Sequence, residues 1–268
     1  MGNVLAFISV KGGVGKTTLA LETASSLAND FGKKVLLVDA NFSAPNVGLY
    51  LDMTHHDVTL HDALLGVGMH NAIYESHGFD VVPASLYYND DVDVFKLKNL
   101  IARMRGRYDF VIIDSSPNYE ELVPVVNAAE KVYVVTTPDH VTLDTSLKSA
   151  RLAREQKTPI EGIIINKIRS PKFESDLEEV EDHFEVPVLA KIRDHKGIKE
   201  ATFFRKPITV HEPGNCISRE IRRFASALCG EPEDNSGFFQ GLLPFKDLFH
   251  KERVNRELVR HGFYEKQL

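Results

Sequence analysis

An apolar, β-branched run at residues 4–9 feeds directly into Lys11-Gly12-Gly13-Val14-Gly15-Lys16-Thr17-Thr18, and helical periodicity follows over 17–30. Few local patterns restrict a fold as strongly. Glycines between a strand and a helix let backbone N–H groups curl around phosphates, and the helix N-terminus adds a favourable dipole. Lys16 is placed to reach β- and γ-phosphates, and the Thr17 hydroxyl to ligate Mg²⁺. A plain glycine turn explains the strand and helix but not the Lys-Thr-Thr that follows.

The rest of the chain repeats the rhythm. Apolar runs at 34–38, 80–83, 110–114, 132–136, 162–166 and 188–192 alternate with helix-like stretches such as 95–105, 142–156 and 174–184. Continuous apolar runs suit strands buried on both faces. The expected fold is therefore α/β, a doubly wound, mostly parallel sheet flanked by helices, with ligands at the C-terminal strand ends. One composition shift occurs near residue 230. Residues 1–229 read as one domain, 230–237 as a polar linker and 238–268 as an aromatic-rich tail.

Charge and cysteine content exclude several classes. The net charge of −6 argues against a general nucleic-acid coat. Cys216 and Cys229 are too far apart for a CxxC motif and make neither a disulfide framework nor a zinc site. A cytoplasmic protein is expected, because no apolar run is long enough to span a bilayer and no charged leader precedes residue 4. Ala6 breaks the myristoylation pattern that Gly2 opens. His55, His56 and His61 read as a polar loop and Cys229 as a packed thiol. Arg103, Arg105 and Arg107, with Arg219, Arg222 and Arg223, read as solvated helix faces, DNA being the weaker alternative.

One departure in the glycine loop is informative. Val10 stands where GxxxxGK[ST] has its first glycine, and Lys11 follows. KGGVGKTT resembles the deviant Walker A motif of the MinD/ParA family of dimeric ATPases (the SIMIBI type of P-loop NTPase). The resemblance extends over 1–229, and 59–76 is similar to archaeal MinD-like proteins in particular. It implies ATP and Mg²⁺ as ligands and a homodimer in the ATP state, with Lys11 crossing to the partner's nucleotide. It also implies a nucleotide-binding set of Lys11, Gly12, Gly13, Val14, Gly15, Lys16, Thr17 and Thr18. Asp39 and Asp114 then join Thr17 around Mg²⁺, and Asn166 and Asp194 fall where the family holds the base. Position 41 usually carries an Asp that positions the attacking water, whereas Asn41 cannot take a proton. With Lys11 and Lys16 it completes the candidate catalytic set, and slow hydrolysis is expected. Pro138, Asp139 and Asp144 match a MinD-like stretch with one residue fewer.

The tail stays open. Phe238, Phe239, Leu242 and Leu243 form an apolar stripe beside basic residues. Such a stripe suits a membrane surface, which would place the protein on the inner face of the cell membrane, and equally suits a protein partner or the chain's own domain, with a disordered tail as the remaining alternative. The resemblance implies a switch ATPase for spatial positioning, with a ParA-type DNA-partition ATPase or a slowly hydrolysing scaffold as alternatives.

Overall fold

The computed structural model describes residues 2–87, 92–169 and 177–231. The expected tail at 238–268 and most of the linker lie outside them. The described residues form β1 (Asn3–Ile8), β2 (Val35–Ala40), β3 (Tyr74–Ser76), β4 (Phe79–Val82), β5 (Phe110–Ser115), β6 (Lys131–Thr136), β7 (Ile160–Ile168) and β8 (Val188–Arg193). Their order across the sheet is β3-β4-β2-β5-β1-β6-β7-β8. Every ladder is parallel except β3 against β4. All seven strands expected from the apolar runs are present. The short edge strand β3 was not expected, because Tyr-Glu-Ser has no apolar alternation; the turn at His77 and Gly78, both at positive φ, creates it.

Alternate strand residues feed two cores. Val4, Ala6 and Ile8 of β1 face one side and Leu5 and Phe7 the other. The first side is covered by α3 (Leu60–Leu65), α4 (Leu97–Met104), α5 (Tyr119–Ala128), α6 (His140–Glu155) and α7 (Leu177–Phe184). The second is covered by α1 (Lys16–Asn29), α2 (Val47–Tyr50), α8 (Lys196–Phe203), α9 (Ile208–His211) and α10 (Cys216–Cys229). Phe224 of α10 meets Tyr133 of β6 edge-on at 5.4 Å, and Tyr133 stacks on Phe7 of β1 at 5.7 Å. This buried aromatic group seats α10 over the middle of the sheet.

Three smaller expectations meet the structure. His61 does not lie in a polar loop. It sits on α3, buried, with Nδ1 accepting the Ser85 N–H at 3.1 Å and its ring edge-on to Phe42. Burial lowers its pKa and keeps it neutral. Both cysteines are half-buried at the margin of the second core. In the arginine runs, Arg105 binds the Gly2 carbonyl and Glu130, and Arg222 pairs with Asp30 at 3.0 Å. Gly230 closes α10 in the left-handed conformation, and Glu231 pairs with Lys33.

A buried acid ties the two ends of the domain together. Glu22, on the core face of α1, accepts the Ile208 N–H at 2.7 Å and the Thr209 N–H and hydroxyl at 3.2 Å each. It therefore caps α9 and locks it to the helix that follows the glycine loop. Glu22→Ala should leave two buried N–H groups without an acceptor, costing about 2–3 kcal/mol. Glu22→Gln, which keeps an acceptor oxygen, should cost less. Urea unfolding midpoints of the two variants check this ordering.

Candidate functional site

Strand β1 lies between β5 and β6, so its C-terminal end opens at the centre of the sheet edge where the strand order departs from the sequence order. The loop from Ser9 to Gly15 sits there and is braced from outside. Ser149 of α6 accepts the Val10 N–H at 2.9 Å, and Ser146 contacts the Ser9 hydroxyl at 3.3 Å. From the end of β7, Asn166 Nδ2 donates to the Val14 carbonyl at 2.8 Å and Lys167 Nζ to the Gly13 carbonyl at 2.6 Å. Lys16 Nζ reaches the Lys11 carbonyl at 3.4 Å. With its carbonyls held this way, and the Val10 and Lys11 N–H groups taken by Ser149 and Ser9, the loop turns its glycine stretch toward an anion.

Gly15 is required by two constraints at once. Its φ is +97°, and a Cβ there would lie 2.2 Å from Asn166 Nδ2. The close approach of Asn166 and the left-handed turn into α1 thus depend on the missing side chain.

Beneath the loop lies a concentration of buried charge. Asp39 at the end of β2 and Asp114 at the end of β5 are register partners on adjacent parallel strands, and both are fully buried. Burial, then the charge of Asp39, pushes Asp114 up to about 7, and burial pushes Asp39 up to about 6. Thr17 Oγ1 donates to Asp114 Oδ2 at 2.6 Å, while Asp114 Oδ1 is buried with no hydrogen-bond partner. Burial lowers the pKa of Lys16, and Asp114 partly offsets this. Asp39 is satisfied differently: it accepts N–H groups of Asn41 at 3.2 Å and of Asn46 and Val47 at 3.0 Å. Asn41 donates its amide to the Ala44 carbonyl and leaves its own Oδ1 buried and unpartnered.

Lys16, Thr17 and Asn41 border a cavity of about 700 Å³. Gly12, Gly13, Gly15, Lys16, Thr17 and Thr18 form its floor, Asn41 and Asn166 its sides, and α8 a wall through Ile198 and Thr202. Asp194 is on the rim, where it accepts from Arg169 Nε at 2.6 Å. Val14 is buried behind the loop, and Lys11 is exposed outside the cavity lining. The cavity therefore gathers the candidate nucleotide residues Gly12 to Thr18, Asn166 and Asp194, apart from buried Val14, with Asp39 and Asp114 behind Thr17.

The residues fit the cofactors expected for them. A volume of this size suits a nucleotide. The orphaned Asp114 oxygen, beside a hydroxyl and a second carboxylate, is a hard oxygen set of the kind Mg²⁺ takes. Two site features had not been expected. Lys167 carries an ordinary turn signature and gains its role only through the Gly13 carbonyl, and His195 is used as the N-cap of α8, accepting the Gly197 N–H. Asp139 caps α6, and Asp144 faces His183 at 3.3 Å, away from the cavity.

Comparison with known proteins agrees with this geometry. The family model for ParA, described as the NUBPL iron-transfer P-loop NTPase, matches residues 1–229. The uncharacterized ATP-binding protein MJ0547 of Methanocaldococcus jannaschii is 29% identical over 235 residues, covering 86% of this chain and 89% of that protein. The cell division ATPase MinD of Pyrococcus furiosus superposes with a TM-score of 0.81 at 28% identity, over 86% of this chain and 99% of its own. The septum site-determining protein MinD of Pyrococcus horikoshii, complexed with Mg-ADP, gives 0.80 at 26% identity, over 85% and 96%. Among the described residues, no helix is long and apolar enough to cross a membrane.

The raised acids have a measurable consequence. Their folded pKa values exceed the ordinary carboxylate value, so the folded state keeps protons that the unfolded chain has released. Their contribution to stability is present below pH about 4 and is lost as pH rises through 6 to 7. Mg²⁺ should oppose that loss. The rise in melting temperature on adding Mg²⁺ should therefore grow from pH 5 to pH 8, and Asp114→Asn should flatten the trend. Thermal melts across that range test it.

Proposed function

The chain belongs to the ParA family of P-loop NTPases, and from that premise we propose that it is an ATP-dependent dimerising switch ATPase of the MinD type. The observation that carries the reading is the juxtaposition of Lys16 and Thr17, which line the cavity, with the buried Asp39–Asp114 pair behind Thr17. The Mg-ADP complex of the Pyrococcus horikoshii relative supports adenine nucleotide and Mg²⁺ as the ligands. When bound, Mg²⁺ neutralises phosphate charge that the protein would otherwise meet with lysine alone.

In this reading the loop N–H groups and Lys16 bind and orient the phosphates. Thr17 and Asp114 hold the ion, and Asp39 stands next to it. Asn166 and Asp194 flank the base. Lys11 acts in a second copy: its side chain is exposed and outside its own cavity lining, which suits contact with the partner's phosphates. Asn41 holds water through its free Oδ1 but accepts no proton, so hydrolysis is slow and the ATP dimer long-lived. A long-lived dimer doubles the contacts offered to a surface, and hydrolysis resets it. The 238–268 tail is proposed as the segment that meets the membrane or partner, serving spatial positioning.

Lys16→Ala should weaken ADP binding by about 10- to 100-fold. Lys11→Ala should bind nucleotide normally yet remain monomeric with ATP, as read by light scattering. An intact ATP dimer in that variant refutes the role in trans. Asn41→Asp should raise turnover by about 100-fold, read as phosphate release; an unchanged rate would show that position 41 does not limit hydrolysis.

A further inference from the structure

Helix α8 carries Ile198 and Thr202 in the cavity wall, and it also carries a residue for a second cluster. Glu200 of α8 meets His211, the last residue of α9, and the adjacent Glu212. One ligand atom from each lies within 4.8 Å of the others. None of the three takes part in the nucleotide site.

The local structure explains why the cluster forms. Glu22 fixes the N-terminus of α9, and the His211 and Glu212 N–H groups donate at 2.8 Å to the Pro207 and Ile208 carbonyls. The His211 ring stacks on Phe204 with centroids 5.0 Å apart, which sets its plane. Glu212 Oε2 accepts from Asn215 Nδ2. Two of the three side chains are thus oriented by neighbours, as the outer partners of metal ligands orient them. Glu200 is exposed, and its carboxylate completes the set.

We propose that Glu200, His211 and Glu212 bind one divalent transition ion of the zinc class, with solvent completing its coordination. Two carboxylates on separate helical segments repel each other, and a cation removes that repulsion. The imidazole decides the class: it suits Zn²⁺, Ni²⁺ or Cu²⁺, whereas Mg²⁺ and Ca²⁺ prefer oxygen alone. One imidazole and two carboxylates with an open position are an accepted ligand number for Zn²⁺. An ion there ties the helix lining the nucleotide cavity to α9, and through Glu22 to α1.

The full chain, treated with EDTA and exchanged into metal-free buffer, would be titrated with ZnCl₂ in excess Mg²⁺ against a chromogenic zinc chelator. One equivalent should bind. His211→Ala and Glu212→Gln should each weaken binding by at least about tenfold. Cys216→Ser and a His55→Ala/His56→Ala double variant should leave it unchanged, separating this cluster from the thiol and the other paired imidazoles. The substituted side chains are exposed or half-buried, and circular dichroism confirms that the variants fold. Absence of stoichiometric binding overturns the proposal, as does undiminished affinity in His211→Ala or loss of affinity in the His55/His56 variant.

Discussion

Two carboxylates buried side by side, Asp39 and Asp114, set the terms for everything around them. Adjacent parallel strands place them in register, and no solvent reaches either. The surrounding groups respond to this arrangement. Thr17 donates to one oxygen of Asp114, Lys16 supplies positive charge nearby, and three backbone N–H groups converge on Asp39. One oxygen of Asp114 is still left over. A site with surplus negative charge and an unused acceptor is built to be completed by a cation and the phosphates that accompany it.

Asp39 has a second consequence. The same carboxylate that stands beside the ion position holds the N–H groups of Asn46 and Val47, at the start of α2. Any redistribution of charge on Asp39 therefore changes its hold on the loop from Asn41 to Asn46. That loop is also tied to α5 through the Ser43 N–H and Glu121, and Phe42 rests against the buried His61. The end of β2 is thus linked by a short chain of contacts, beginning with hydrogen bonds on one carboxylate, to the surface of the first core.

The sequence revealed the elements whose signal is local. Seven strands announced themselves as apolar runs because both faces of a parallel sheet are buried, and the phosphate loop because its glycines, lysine and threonine must follow one another. Lys16 and Thr17 are nominated by the loop motif itself, and Asp39, Asp114 and Asn166 by the family resemblance; all five fall near the C-terminal end of a strand or at the start of a helix. What escaped depends on contacts made across the fold. Glu22 carries no local signature, and its role comes only from α9 returning to it from 186 residues away. His61 looked polar because its neighbours are polar, yet α3 turns it inward. Lys167 matters only because β7 ends beside the glycine loop. Helix α5 forms even though Pro124, the sixth of its ten residues, has no N–H to give to the ladder.

The position of β1 in the sheet bears on how the protein is made. Both neighbours of this strand, β5 and β6, are encoded more than a hundred residues after it. The braces on the glycine loop come later still, from α6 and from Asn166 and Lys167. At roughly 5–20 residues per second, on the order of ten to thirty seconds of synthesis separate the appearance of the phosphate loop from that of its last support. During that interval the motif exists without the side chains that hold its carbonyls. The loop and its braces are thus made far apart in time, and the motif is complete in sequence long before the contacts that hold its shape exist.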